Sequence, residues 1–497
     1  MNLNEKEFLK LSNKFNVIPL YREIIADLDT PVGALLKLNR RPSFLLESVH
    51  GGEKWGRYSI IGIEPALSII VEGNKITVEK GKDKKNYKNS EPFKFLRKLF
   101  SQYTSCIDSE LPRFFGGMVG FISYDTVKMF EKVPDLSKPS IDMPDIFLMI
   151  PEILLIFDNL KQSIKIVYNA FIDDDAISIY KKAQKKIDEL IFDLKSHSDE
   201  RFRTYLNVPG KETKTLYHGF RSNFSKKEFI SAVKKAKDYV LNGDVVQVVI
   251  SQRFETETET HPFDIYRILR IINPSPYMFY IDTGKEFLVG SSPEILVRLE
   301  DERVIVRPIA GTRPRGKTEE EDLALEKELL SDEKEIAEHI MLVDLGRNDV
   351  GRVTEIGSVN VTELMTIERY SHVMHIVSNV EGKLKKGLDM FDVFISCFPA
   401  GTVTGAPKVR AMQIIEELEP TKRGPYAGAI GYFGFSGNMD MCIGIRMLTI
   451  KDNKVFVQAG AGIVADSVPE KEYLETVNKA MAMLKTINFL HSGGMSS

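Results

Sequence analysis

From about residue 15 to residue 160, short apolar runs alternate with turn-rich segments, and this rhythm constrains the fold more than any other feature of the chain. Ser43–Leu46, Ser59–Ile61, Leu67–Val71, Met118–Ser123, Ile153–Phe157 and Ser163–Tyr168 predict a largely antiparallel sheet with few helices. The Lys-rich stretch Lys80–Lys88 reads as a solvated hairpin tip or loop. Helical periodicity follows over Asp174–Leu194, and the polar, irregular segment 201–224 reads as a linker between residues 1–200 and residues 225–490. Beyond it the spacing predicts a helix over Lys226–Asn242, with Ser225 as N-cap and Gly243 just past its end. Strands are predicted at Val245–Phe254, Met278–Asp282, Phe287–Gly290, Ile295–Leu299 and Val304–Val306, then one long helix from about Glu319 to Leu345. A chain of 497 residues can bury a large core, and no internal repeat divides it.

A formal net charge of −3 gives no broad basic field, so composition offers no support for a nucleic-acid partner. The three cysteines are far apart and lack C-x-x-C spacing, which fits reduced structural thiols. The N-terminus lacks an apolar signal core, and the most apolar stretch, Met143–Phe157, is broken by Asp145, Pro151 and Glu152. A cytoplasmic protein with no membrane association is expected. Gly401-Thr402-Val403-Thr404-Gly405-Ala406-Pro407-Lys408 lacks the Gly-Lys-Ser/Thr ending of a phosphate loop, and Gly460-Ala461-Gly462 lacks the spacing of a dinucleotide fingerprint.

Two carboxylate pairs have i, i+3 spacing on helix-like segments, Glu335 with Glu338 and Glu472 with Glu475, so each pair shares a face. Such pairs commonly form a solvated surface. If both faces meet in a cleft, a hard dication relieves their repulsion, and the expected assignment is Mg²⁺ on Glu338 and Glu475, supported by Glu335 and Glu472. Gly460-Ala461-Gly462 permits close approach of backbone amides to a carboxylate, or else marks a tight turn out of a strand. Arg446 lies in the apolar run Cys442–Leu448, where a guanidinium needs an anion, either a substrate carboxylate or a structural partner. His375 and Glu294 each have an ordinary structural reading, as a core histidine and a strand-end cap, and gain weight only if they line the same pocket.

Together the segments Val248–Phe254, Ser291–Leu296, Pro308–Gly316, Glu335–Arg352, Glu368–Val377, Phe398–Lys408 and Gly460–Ala480 resemble the chorismate-utilising enzymes. That family includes the large subunits of anthranilate synthase and aminodeoxychorismate synthase, isochorismate synthase and salicylate synthase. The resemblance implies an α/β fold of the α+β type, a two-lobed β-sheet sandwich with helices packed outside. It casts Glu338 and Glu475 as Mg²⁺ ligands, and Gly311, Thr312, Tyr426, Arg446, Gly460, Ala461, Gly462 and Lys479 as substrate contacts. It also makes Glu294 the general acid for the departing C4 hydroxyl, His375 the base near the ring, and Thr402 part of the catalytic set.

Within the family, Ala310 and Gln247 occupy the positions where other members carry lysines, one able to attack substrate and one able to activate water. Neither residue is an amine nucleophile or a strong base. The nucleophile implied is therefore external ammonia, and the reaction is that of the anthranilate-forming members: chorismate and ammonia to anthranilate and pyruvate through 2-amino-2-deoxyisochorismate. No Cys sits in a G-x-C-x-G elbow, so a separate glutamine amidotransferase subunit, component II, is expected as ammonia source in a heterotetramer. A second resemblance, through Leu46-Glu47-Ser48 and Pro276-Tyr277-Met278, implies a tryptophan feedback pocket. The alternatives are the aminodeoxychorismate-forming enzyme and a catalytically silent tryptophan-binding regulatory subunit.

Overall fold

The computed structural model describes residues 3–48, 56–139, 141–195, 206–207, 219–370 and 373–490. Most of the expected linker 201–224 lies outside the described residues, as does the tail from His491. The 22 strands named among the described residues connect into one antiparallel network that folds into two faces.

The fold turns on two long strands, Tyr58–Glu72 and Ile146–Asp158, which pair along their whole lengths. Each contains a proline where the pairing shifts register: Pro65 faces Pro151, a bulge separates Pro65 from Leu67, and Glu64 has φ of 50°. Proline cannot donate to a ladder and bulges bend a strand, so both strands leave one sheet and enter the other at this point. The runs Ser59–Ile61 and Leu67–Val71, expected as separate strands, are the two halves of one. In the first sheet, Ile153–Asp158 pairs with Ser163–Phe171, and Tyr58–Ile63 leads through Ser43–Glu47, Tyr277–Asp282, Phe287–Ser292 and Met447–Lys451 to Lys454–Ile463 and Gln247–Glu257. In the second, Ile146–Met149 leads through Gly117–Ile122, Ala429–Gly434, Met439–Ile443, Ile295–Glu300 and Arg303–Val306 to Val373–Lys383, which also pairs with Ile309–Pro314 and Asn360–Arg369.

Side chains from both sheets meet between them: Phe44, Ile156, Phe279 and Leu288 from the first pack with Phe121, Phe147, Ile430 and Cys442 from the second. Helices cover the outer faces. Ala176–Lys195, Pro262–Ile272 and Pro469–Phe489 bury apolar stripes on the first sheet, and Pro92–Phe100 and Met390–Cys397 do so on the second. This is the expected sandwich, with residues 1–200 and 225–490 each supplying strands to both sheets. All three cysteines are buried and free. No helix among the described residues is long and apolar enough to cross a membrane.

Local signals explain the helix ends. Ser225 caps Lys226–Leu241 in a reciprocal capping box with Glu228, and Gly243 follows at φ of 82°. The helix expected over Glu319–Leu345 is two, Glu319–Ser331 and Glu333–Gly351. Asp332 leaves helical geometry at ψ of 103° and its carboxylate accepts from the amides of Lys334 and Glu335, so a new N-terminus starts within the run.

Candidate functional site

One wall of a cavity of about 600 Å³ is built by the pair of strands Gln247–Glu257 and Lys454–Ile463. Val249 stands opposite Gly462 and Ser251 opposite Gly460. Strand alternation therefore puts Gln247, Val249, Gly460 and Gly462 on the cavity face. Ala461 is buried on the other face with Val248, Ile250, Phe229 and Ile414, so its side chain cannot touch a ligand in the cavity. The glycines lie within the strand, so of the two readings open for this run the turn falls away. Their role is room: a Cβ on Gly462 would stand 2.3 Å from Gln247 Nε2, and one on Gly460 would stand 3.0 Å from the Tyr426 hydroxyl.

Facing them are Ile309–Pro314 and Val373–Lys383, with Ala310 opposite Ile376 and Thr312 opposite His375. The bulge between Ala310 and Thr312 is Gly311, whose φ of 68° favours glycine. It turns the Gly311 carbonyl onto His375, 2.9 Å from Nδ1, while the Thr312 hydroxyl lies 3.0 Å from the same nitrogen. A carbonyl only accepts, so Nδ1 carries the proton and, in the neutral ring, Nε2 carries the lone pair. Burial pushes the His375 pKa down, opposed by the Gly311 contact and reinforced by the charge of Arg446. His375 is thus poised as a neutral base.

Glu294 precedes the strand Ile295–Glu300 and is sealed against Ile309 and the short 3-10 turn Gly401–Val403. Burial raises its pKa to about 8, against the opposing pull of the Thr402 hydroxyl and the Ile309 amide. Thr402 approaches closely enough to temper that rise, without full hydrogen-bond geometry. A carboxyl in this state is a proton donor at neutral pH.

The four glutamates come together from two helices. Glu335 and Glu338 project from the first turns of Glu333–Gly351, and Glu472 and Glu475 from those of Pro469–Phe489, all lining the cavity. Gln247 Nε2 donates to Glu338 at 3.1 Å, and Arg313 donates to Glu335 at 3.3 Å. Lys479 pairs with Glu475 at 2.5 Å and donates to the Gly460 carbonyl at 3.1 Å. Burial, and then the neighbouring carboxylate, raises the pKa of both Glu335 and Glu472. An all-oxygen set under mutual repulsion suits a hard dication. Among the described residues no three acidic, histidine or cysteine side chains form a ready-made cage. Mg²⁺ sites commonly use one or two carboxylates, with waters and substrate completing the shell.

Arg446 departs from its expected strand. It sits between Met439–Ile443 and Met447–Lys451 in the left-handed region, with φ of 52°. Its guanidinium lines the cavity, makes no ion pair among the described residues, and has its pKa lowered by burial. Of the two readings open for it, the structural salt bridge falls away. Tyr426 stands nearby, its pKa pushed up to about 12 by burial. Lys334 and Gln458 also line the cavity, and sequence reasoning missed both. Gln458 could have been found from the period of two that places it on the face of Gly460. Lys334 could have been found from its place beside Glu335 in the first helical turn.

A separate cavity of about 360 Å³ lies where Ser43–Glu47 pairs with Tyr277–Asp282. Leu46, Ser48, Pro276 and Tyr277 line it together with Arg57, Tyr432 and Asp440. Glu47 and Met278 are register partners, and alternation turns both side chains to the other face. There Tyr266 and Arg270 hold the Glu47 carboxylate at 2.5 and 3.0 Å, so these two residues offer the cavity main chain rather than side chains. Between the two sites, a cavity of about 340 Å³ shares Pro276 and Tyr277 with one and Pro293 and Ile309 with the other.

The chorismate binding enzyme family model matches residues 42–485. Anthranilate synthase component 1 of Aquifex aeolicus (strain VF5) is 51% identical, covering 98% of both chains, and that of Pseudomonas aeruginosa (strain PAO1) is 48% identical over 98% of both. Among solved structures, anthranilate synthase component I from Streptococcus pneumoniae TIGR4 is 37% identical and superposes with a TM-score of 0.77, covering 93% of this chain and 98% of that one. MenF, the menaquinone-specific isochorismate synthase of Escherichia coli, shares the fold at 19% identity, with a TM-score of 0.70 over 97% of this chain and 98% of its own. The chain belongs to the chorismate-binding enzyme family and, within it, to the anthranilate synthase component 1 group.

Proposed function

We propose that this chain is the large subunit of an anthranilate synthase, converting chorismate and ammonia to anthranilate and pyruvate as the committing step of tryptophan biosynthesis in the cytoplasm. The observation that carries the reading is that one cavity holds a proton-donating Glu294, a neutral His375, an uncommitted Arg446 and four carboxylates, with Ala310 and Gln247 at the two nucleophile-determining positions.

Glu338 and Glu475, seconded by Glu335 and Glu472, are suited to hold Mg²⁺, which when bound supplies charge neutralisation for the substrate's ring carboxylate. Arg446 and the backbone of Gly460–Gly462 receive the enolpyruvyl carboxylate, with Gly311, Thr312 and Tyr426 framing the ring. Glu294 gives its proton to the departing C4 hydroxyl as ammonia adds at C2, forming 2-amino-2-deoxyisochorismate. His375 Nε2 then removes the C2 proton, pyruvate leaves and the ring becomes aromatic. The cavity lysines serve as counter-charges, Lys479 paired to Glu475 and Lys334 partly opposing the rise that burial gives the Glu472 pKa.

Residues 225–490 carry these groups, and residues 1–200 supply half of the second cavity, the site for tryptophan as feedback inhibitor. A glutamine amidotransferase subunit delivers ammonia in a heterotetramer. The test is purified chain with chorismate, Mg²⁺ and an ammonium salt at mildly alkaline pH. Anthranilate and pyruvate are expected without glutamine. Aminodeoxychorismate or isochorismate as end product overturns the reading of Ala310 or Gln247, and absence of product from a tryptophan-binding protein points to a regulatory subunit.

A further inference from the structure

Behind the cavity wall lies a charged pair that the chemistry above does not use. Arg423 and Glu419 are 1% and 3% exposed, and the guanidinium grips the carboxylate with Nη2 at 2.6 Å from Oε1 and Nε at 2.9 Å from Oε2. The remaining donors of Arg423 reach main-chain carbonyls, Nη1 to Val403 at 2.7 Å and Nη2 to Val249 at 2.8 Å. Its plane lies over Tyr124 at 4.6 Å and near Tyr426 at 5.8 Å. Glu419 Oε1 also accepts from the amide and hydroxyl of Ser251, each at 2.8 Å, and the Ser251 hydroxyl in turn accepts from Gln458 Nε2 at 2.8 Å.

Four branches of this network end beside the cavity. Val249, Val403, Tyr426 and Gln458 all line it, and Val403 is the neighbour of Thr402. Stability alone is a poor reason for such a pair, because replacing a buried ion pair by uncharged residues of similar volume is often neutral or stabilising, whereas removing one partner is not. Its bonds instead join three segments that are far apart in sequence: the strand at Val249–Ser251, the turn at Thr402–Val403, and the Gln458–Gly460 strand.

We propose that Arg423 and Glu419 are positioning residues for the reaction, fixing the Thr402 turn and the Val249 and Gln458 strands so that Thr402 meets Glu294 and Tyr426 meets the substrate. This rests on the function proposed above. The test compares wild type with Arg423→Met/Glu419→Gln, which keeps an acceptor for the Ser251 amide but cuts the ties to Val403 and Val249, and with Ser251→Ala, which removes the hydroxyl's bonds to Glu419 and Gln458 and keeps the amide's bond to Glu419. Three quantities are measured: the thermal midpoint, kcat/KM with ammonium across pH, and equilibrium affinity for chorismate in the presence of Mg²⁺.

The double variant is expected to melt within a few degrees of wild type, to lose at least tenfold in kcat/KM and to bind chorismate at least threefold more weakly. Its alkaline activity limb should move to higher pH as Thr402 releases Glu294. Ser251→Ala should lose three- to tenfold in kcat/KM at an unchanged midpoint. A folded double variant with activity and affinity within twofold of wild type overturns the proposal. If the double variant does not fold, Ser251→Ala decides, and wild-type activity in it is the overturning result. Wild-type turnover to a product other than anthranilate strikes the functional reading alone, since chorismate affinity still reports on the pair.

Discussion

Replacing Glu294 by Gln should damage activity and improve stability at alkaline pH, and the two effects have one cause. In the folded chain burial holds the Glu294 pKa near 8, against an ordinary value of 4.5. Between those values the native state keeps a proton that the unfolded state releases, so stability from this group is highest at acid pH and declines as pH rises. The decline is about 1.36 kcal/mol per pH unit, which amounts to roughly 3 kcal/mol between pH 5.5 and 8 as an upper figure. The neutral amide of the Glu294→Gln variant does not titrate, and its unfolding should lack this component. Thermal midpoints of wild type and Glu294→Gln, measured in parallel from pH 5.5 to 8.5, should therefore diverge, the variant gaining on wild type with every step upward. Turnover with chorismate and ammonium should fall by about 10²–10⁴-fold, the usual worth of a positioned acid. A stability difference that is flat across this range would mean that Glu294 is ionised throughout, and the general-acid assignment would fail.

His375→Leu should impair pyruvate loss more than amination, since only the second step removes the ring proton, and 2-amino-2-deoxyisochorismate should accumulate on chromatography; parallel loss of both steps without intermediate would return His375 to a structural role. Excess chelator should abolish turnover, with recovery on adding Mg²⁺, because without a cation four carboxylates face an anionic substrate; full activity in chelator would exclude the metal assignment. Ser48→Phe should fill the second cavity and remove tryptophan inhibition while leaving uninhibited turnover nearly intact, and an unchanged inhibition curve would take Ser48 out of the effector site.

Much of this architecture is legible in the order of residues, and the exceptions have physical causes. Helix Lys226–Leu241 is readable because Ser225, Glu228 and Gly243 signal its ends locally. The break at Asp332 is harder to see, because an Asp inside an acidic helical run looks like one more solvated residue until its side chain takes two backbone amides. Arg446 reads as a strand residue on the strength of its apolar neighbours, yet its left-handed backbone is imposed by the turn between two strands. The glycines at 460 and 462 leave a ligand-approach reading and a turn reading both open, because their real constraint, the nearness of Gln247 and Tyr426, comes from a strand some two hundred residues away and a distant loop. Glu47 and Met278 border the same cavity as Leu46, Ser48, Pro276 and Tyr277, but the orientation of their side chains depends on a register that only tertiary pairing defines.

The crossing of Tyr58–Glu72 and Ile146–Asp158 between the sheets also bears on how this protein comes into being. Both strands are interior members of the network, and their neighbours Ser43–Glu47 and Gly117–Ile122 keep one edge unpaired in a nascent chain until Phe279 and Ile430 have been synthesised. Such long-range antiparallel closure is slow and leaves apolar strand edges open to other chains meanwhile. A fragment limited to residues 225–490 would retain the catalytic groups but lose the strands that continue both sheets. It should aggregate through the exposed edges of Tyr277–Asp282 and Ala429–Gly434 rather than survive as a folded protein. In this topology the two cavities cannot be separated by cutting the chain, and on the proposed function variants lacking the response to tryptophan have to be sought through point substitutions.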